Sequence, residues 1–193
     1  MKKYFIPIIS LFVLTIIGSF FIDQEVAIGI FKLQDPILTT IFVYFSYIFT
    51  NLTIFLFGAL FLIRNKTMIP YMTLGYLVHG FFHIIIKFFI NRPRPFIEIS
   101  LKQIEGFSYD FASWNTTFPS FHVAAMFFMI PFIFKLKSKL RYVWVGLAVL
   151  MGIVRIYSGV HYLSDILAGA LVGLAFGYLT LYIYEKKARN LFK

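Results

Sequence analysis

Residues 142–184 read YVWVGLAVLMGIVRIYSGVHYLSDILAGALVGLAFGYLTLYIY. Two apolar stretches flank the passage Arg155–Asp165, which holds a cation, an imidazole and a carboxylate. A helix needs roughly 20 apolar residues to cross the hydrocarbon of a bilayer. The stretch therefore predicts two spanning helices, 142–157 and 162–184, joined at Ser158-Gly159. Charged and ionisable groups are expensive at that depth, so Arg155, His161 and Asp165 call for a chemical reason.

The rest of the chain extends this pattern. Further apolar runs predict spans at 4–22, 37–63, 68–90 and 120–134, which makes an all-α bundle of six transmembrane helices in a single domain, 1–193. The run 120–134 is short and contains Pro131, which is expected to kink it. A short span suits a helix whose outer end begins in a polar cavity. Residues 24–35 read as a short amphipathic helix on the interface. The first run has the shape of a signal peptide but lacks a small-residue cleavage site, and is read as an uncleaved helix.

Composition agrees. Of 193 residues, 60% are hydrophobic and 13% charged, against about half and about a quarter in soluble domains. There is no cysteine, which excludes disulfides and thiolate metal sites. The net charge of +10 raises the question of nucleic acid, but the positions of the cations answer it. Twelve of the 18 Lys and Arg residues fall on one side if the N-terminus is cytoplasmic: Lys2, Lys3, Arg64, Lys66, Lys135, Lys137, Lys139, Arg141, Lys186, Lys187, Arg189 and Lys193. This is the positive-inside pattern, with both termini cytoplasmic and no nucleic-acid partner required.

The other six are Lys32, Lys87, Arg92, Arg94, Lys102 and Arg155. Orientation gives no reason for them, and four flank the ends of the third and fifth spans. The outer loop 91–119 joins the third and fourth spans. It exceeds the length of an ordinary connection, and its Phe107, Tyr109, Phe111 and Trp114 suit a membrane interface.

Three outward pieces carry polar groups. In KFFINRPRP, Lys87–Pro95, a lysine and arginines suit a phosphate; snorkelling to lipid headgroups is the plainer reading of that piece alone. In FPSFHVAAM, Phe118–Met126, Ser120 is placed to cap the fourth helix, and backbone N–H groups at a helix start bind anions. His122 falls in that first turn, where an interfacial role alone would also explain it. In the third piece His161 and Asp165 are four apart and share a helix face. The carboxylate can hold one ring nitrogen and leave the other as nucleophile or base. Arg155 can fold back to the same point, although an Arg–Asp pair that merely satisfies itself would also account for it. Too few carboxylates accompany the histidines for a metal site. Together the pieces suit the binding, attack and protonation of a phosphoryl ester.

At these residues the sequence resembles the type-2 phosphatidic acid phosphatase (PAP2) superfamily, whose fold is shared with vanadium-dependent haloperoxidases. The family's first motif, Lys, six residues, Arg-Pro, is met by Lys87 and Arg94-Pro95. Its second, Pro-Ser-Gly-His, reads Pro119-Ser120-Phe121-His122. Its third, Ser-Arg, five residues, His, three residues, Asp, reads Val154-Arg155, His161 and Asp165. Phe121 replaces a glycine and Val154 a serine.

The resemblance implies roles. His161 attacks phosphorus and becomes phosphohistidine, Asp165 orients it, and His122 protonates the leaving oxygen. Lys87, Arg94, Arg155, Ser120 and the backbone N–H of Phe121 hold the phosphoryl oxygens. It also implies that no metal or other cofactor is needed. The expected substrate is a membrane lipid phosphate or diphosphate, with the site at the outer face of the cell membrane. Small bacterial members often act on undecaprenyl diphosphate or phosphatidylglycerophosphate, and the isoprenoid is favoured here. A phosphatidate phosphatase, a lipid phosphotransferase, or a non-enzymatic anionic-lipid transporter are the alternatives. Of the remaining residues, His83 reads as a hydrogen-bonded helix-packing histidine, with a substrate contact as the alternative, Arg92 as a headgroup or rim contact, and Gly169, Gly173 and Gly177 as a packing stripe within the monomer rather than a dimer face.

Overall fold

The computed structural model describes residues 10, 13–49, 51–61, 63–99, 116–136 and 139–191. Its helices are α1 (Val13–Ser19), α2 (Asp23–Phe31), α3 (Pro36–Ile48), α4 (Asn51–Phe61), α5 (Ile69–Ile90), α6 (Pro95–Glu98), α7 (Phe121–Lys135), α8 (Leu140–Tyr157) and α9 (Leu163–Leu191). A 3-10 helix, Ile63–Met68, leads into α5. The described part of the loop 91–119 ends at Ile99 and resumes at Thr116, so its four interfacial aromatics lie outside the described residues.

Every residue of α7 from His122 to Ile133 except Phe127 is buried. A helix that is apolar all round belongs in the middle of a bundle, and α4, α5, α8 and α9 surround this one. It continues through Pro131 to Lys135. The outer helices instead expose large apolar side chains, such as Phe88 (71%) and Phe89 (78%) on α5 and Tyr178 on α9. Surfaces of that kind are tolerated when lipid covers them.

Among the described residues three stretches are long and apolar enough to cross a membrane: Asn65–Ile90, Leu140–Tyr157 and Leu163–Ala188. The expected first span differs from this pattern. Within the described residues α1 and α2 form a pair bent by 67°, which together pass the same test as one broken span. The expected interfacial helix is the second arm of that pair, with Asp23 and Ala27 buried. The expected span 37–63 is also divided, because α3 ends at Phe49, whose φ of −99° and ψ of 54° leave the helical region. The sequence continues Thr50-Asn51, residue types whose side chains compete with helical hydrogen bonding. Asp35 starts α3 by accepting from the N–H groups of Ile37 and Leu38, with Pro36 at the first position.

Helices α7 and α9 run parallel and touch backbone to backbone. A Cβ at Gly169 would lie 2.5 Å from the Ser120 carbonyl oxygen, and Cβ atoms at Gly173 and Gly177 would collide with the carbonyls of Ala124 and Phe128. The glycine stripe is therefore the joint between these two helices within one chain. At the far end Lys135 pairs with Glu185. Helix α5 crosses α9 in the opposite sense, bringing Tyr71 to Tyr184 and Phe82 to Phe176. The C-terminal ends of α5 and α8 thus meet the N-terminal ends of α7 and α9.

Candidate active site

That meeting point gathers all three motif segments. Asn91 ends α5 in the left-handed region (φ 43°), a conformation that asparagine tolerates. The chain then pairs Pro93 with Thr116 in a single antiparallel bridge, and Thr117 donates its N–H to the Arg92 carbonyl at 2.8 Å. Phe96 N–H reaches the Gly159 carbonyl at 3.1 Å, and Tyr162 Oη donates to Glu98 at 2.8 Å. Ser120 N–H bonds to the Asp165 carbonyl at 3.0 Å. After α8, Gly159 takes φ 67°, which a residue with a Cβ adopts only under strain. This turn brings His161 N–H back to the Arg155 carbonyl at 3.3 Å.

The segments that bear the eight residues expected from the sequence meet here. Lys87, Arg94, Ser120, His122, Arg155, His161 and Asp165 are all buried, although four are charged types, and Phe121 is half-buried. Charges are not buried without partners or a ligand to answer them. The Lys87 ammonium donates to the Thr116 carbonyl at 2.9 Å. Ser120 occupies the N-cap position, as expected, but its hydroxyl makes no capping bond. Among the described residues its buried Oγ has no hydrogen-bond partner, so it is open to a ligand oxygen. The positive ends of two helices, α7 and α9, face this point, which favours an anion.

His161 and Asp165 lie together at the start of α9 as expected, but the direct bond expected between them is replaced by a bridge through Thr117. Asp165 Oδ2 lies 3.6 Å from His161 Nδ1. Thr117 Oγ1 lies 2.9 Å from that nitrogen and 2.5 Å from that oxygen. A hydroxyl carries one proton. It goes to the carboxylate, so Thr117 accepts from Nδ1–H, and the network assigns the lone pair of the ring to Nε2. Asp165 Oδ2 also accepts from Tyr162 N–H at 2.6 Å. Sequence reasoning passed over Thr117; its one signal was its place three residues before Ser120.

Arg92 corrects the expectation of a rim contact. Its side chain is only 17% exposed and forms ion pairs with Asp165 Oδ1 at 3.2 Å and Asp23 Oδ2 at 2.9 Å. It lies over the rings of Tyr162 and Phe20, 4.1 Å and 4.9 Å from their centroids. His83 behaves as expected of a packing histidine, with Nε2 2.9 Å from the Pro119 carbonyl oxygen.

The two departures from the motifs have local explanations. The ring of Phe121 packs on α5, 4.8 Å from the His83 ring and stacked on His79 at 5.5 Å. Val154 is buried against Phe42 and Tyr157, so that position faces α3. Among the described residues no three His, Asp or Glu side chains form a metal-binding group.

Comparisons with known proteins give the family. Residues 68–189 match the PAP2 superfamily. The chain belongs to that superfamily. It is an integral membrane protein of a family of membrane lipid phosphatases, which are hydrolases. The crystal structure of Aquifex aeolicus LpxE is similar over 83% of this chain and 95% of its own, at 27% identity and TM-score 0.68. A PAP2-type phosphatidylglycerolphosphate phosphatase from Bacillus subtilis shares the fold over 92% of this chain and 96% of its own, with TM-score 0.70 and 23% identity. A curated PAP2 relative, the bacitracin transport permease protein BcrC of Bacillus licheniformis, is 33% identical over 113 residues. That alignment takes in 58% of this chain and 53% of BcrC, so the chain spans about half the length of the curated relative it matches.

Proposed function

We propose that this protein hydrolyses a lipid phosphate or diphosphate through a phosphohistidine. The observation that carries the reading is the buried His161–Thr117–Asp165 array, on segments that adjoin those bearing the buried Lys87, Arg94 and Arg155. In this reading the three cations, Ser120 Oγ and the N–H groups at the start of α7 hold the phosphoryl oxygens. His161 Nε2 forms a bond to phosphorus as the bond to the lipid oxygen breaks. His122 gives that oxygen its proton. Water, deprotonated by His122, then cleaves the N–P bond and releases phosphate. Charge on the transferring group is answered by fixed cations, the part that metal ions take in other phosphoryl-transfer enzymes. The reaction accordingly needs no metal.

The substrate we favour is an isoprenoid diphosphate such as undecaprenyl diphosphate, with phosphatidylglycerophosphate or phosphatidate next. A lipid substrate fits a site at the ends of spanning helices whose flanks are apolar. The positions of the twelve cations support an extracytoplasmic site in the cell membrane, with both termini inside. A phosphotransferase would use the same residues with an alcohol in place of water.

The name of the curated relative favours a second reading, a transporter of anionic lipid. Transport needs neither a nucleophilic imidazole nor a carboxylate relayed through a hydroxyl. One experiment separates the two: phosphate release by the purified protein from a panel of lipid phosphates, beside His161→Ala. Turnover that vanishes in the variant supports the phosphatase. Wild-type protein that binds these lipids and releases no phosphate refutes it.

A further inference from the structure

Asp23 stands outside all three motifs, yet its carboxylate is buried at the same site. It begins α2 and reaches across to α9, where Ser164 N–H donates to Oδ1 at 2.9 Å and the Ser164 hydroxyl to Oδ2 at 2.5 Å. Oδ2 also receives Arg92 at 2.9 Å, while the other arm of Arg92 holds Asp165 at 3.2 Å. One guanidinium is therefore shared by two buried carboxylates. Were Asp165 the sole partner of Arg92, the two would neutralise each other, and little charge would remain for His161. With Asp23 in the cluster, one negative charge is left over beside the histidine.

We propose that Asp23 is a positioning residue that keeps this excess charge on the Asp165 side of His161, where it stabilises the phosphorylated imidazolium. The proposal rests on the phosphohistidine reading above. When Nε2 bonds to phosphorus and the P–O bond to the lipid breaks, Nδ1 keeps its proton and the ring becomes cationic. The excess charge meets a cation that exists only from the transition state onward, so it lowers the barrier without tightening ground-state binding. The cations of the phosphate pocket answer the charge of the substrate itself and do not cancel this effect.

The test compares three variants of the full-length protein in detergent micelles: Asp23→Asn, Asp23→Asn with Arg92→Gln, and Tyr157→Phe. The double variant removes one charge of each sign and restores the excess on Asp165. Tyr157→Phe removes a hydroxyl that binds Asp35 and Thr39, loosening the docking of the N-terminal helices with no change of charge.

Asp23→Asn is expected to lower kcat and the rate of phosphoenzyme formation by roughly ten- to thirtyfold, the effect of one charge a few ångströms farther out at an effective dielectric near 20. KM and inhibition by vanadate should stay close to wild type. The double variant should recover most of the lost rate, and Tyr157→Phe should keep it. Wild-type kcat in Asp23→Asn, or a double variant slower than the single one, overturns the proposal. If Asp23→Asn does not fold, the double variant decides: a kcat near wild type supports the charge argument, and a tenfold loss or more overturns it. Inactive His161→Ala beside a fully active Asp23→Asn defeats this inference alone. Wild-type protein without vanadate-sensitive turnover defeats the phosphohistidine reading and this inference together.

Discussion

Replacing Thr117 by valine keeps the shape of a buried side chain and removes one hydroxyl. That hydroxyl lies 2.5 Å from Asp165 Oδ2 and 2.9 Å from His161 Nδ1. Without it the two groups face each other across 3.6 Å, beyond a good hydrogen bond. A hydrogen bond to a charged partner is worth about 1.5–3 kcal/mol, and each 1.36 kcal/mol of barrier is about tenfold in rate. Thr117→Val should therefore lower kcat by about 10- to 150-fold. Because Thr117 acts on the face of the ring away from phosphorus, KM should change little. Thr117→Ser, which restores the hydroxyl, should recover most of the loss. The assay is steady-state phosphate release from a lipid phosphate, with rapid-quench measurement of phosphoenzyme. Wild-type kcat in Thr117→Val, or equal losses in valine and serine variants, would show that Asp165 orients His161 without the relay.

Four further outcomes are expected. His161→Ala should abolish turnover on every substrate, whereas His122→Ala should be partly rescued by p-nitrophenyl phosphate, because a good leaving group dispenses with an acid worth ~10²–10⁴-fold; phosphoenzyme in His161→Ala and none in His122→Ala would reverse the roles. Turnover should persist in EDTA and be blocked by vanadate; loss in EDTA with recovery on adding magnesium would refute metal-independent chemistry. Gly173→Leu should lower the unfolding temperature in detergent, since overpacking costs about 1–3 kcal/mol where neighbours can shift and the obstacle here is the Ala124 carbonyl on the α7 backbone; an unchanged transition would contradict the close approach of α7 and α9. Single cysteines placed in 91–119 of this cysteine-free chain should react with an impermeant reagent in intact cells; reaction only after lysis would invert the orientation.

The parts of the site legible in the sequence were those that spacing fixes. Lys87 and Arg94 close α5 and its linker, Ser120 and His122 open α7, and His161 and Asp165 straddle the start of α9, all separations set by helix geometry and a short turn. The glycine stripe was legible for the same reason, since a four-residue repeat keeps to one face of a helix. Arg92 was misjudged because its two partners are Asp23 and Asp165, far away in the chain and visible only once three segments have met. Thr117 was passed over for the same cause, its place three residues before Ser120 being its one signal. The runs 37–63 and 4–22 are apolar almost throughout, so hydropathy could not register the break after Ile48 or the bend before Asp23. His79, buried with both ring nitrogens lacking a hydrogen-bond partner among the described residues, looked in the sequence like one more residue of a span.

Where Gly169, Gly173 and Gly177 of α9 meet the α7 carbonyls, the contact is made by backbone and not by side chains that could be trimmed, swapped or rotated. The spacing from Ser120 to Asp165 is consequently a fixed gauge, indifferent to most point changes elsewhere in the bundle. In the proposed reading, room for a larger or smaller headgroup would have to come from the α5 side, where the Phe121 ring rests on His79 and His83 and each contact is a replaceable side chain. Chemistry would then be held by the α7–α9 seam and selectivity by the α5 side. If the protein is the phosphatase proposed, altering what it accepts should mean rebuilding α5 while leaving the α7–α9 seam untouched.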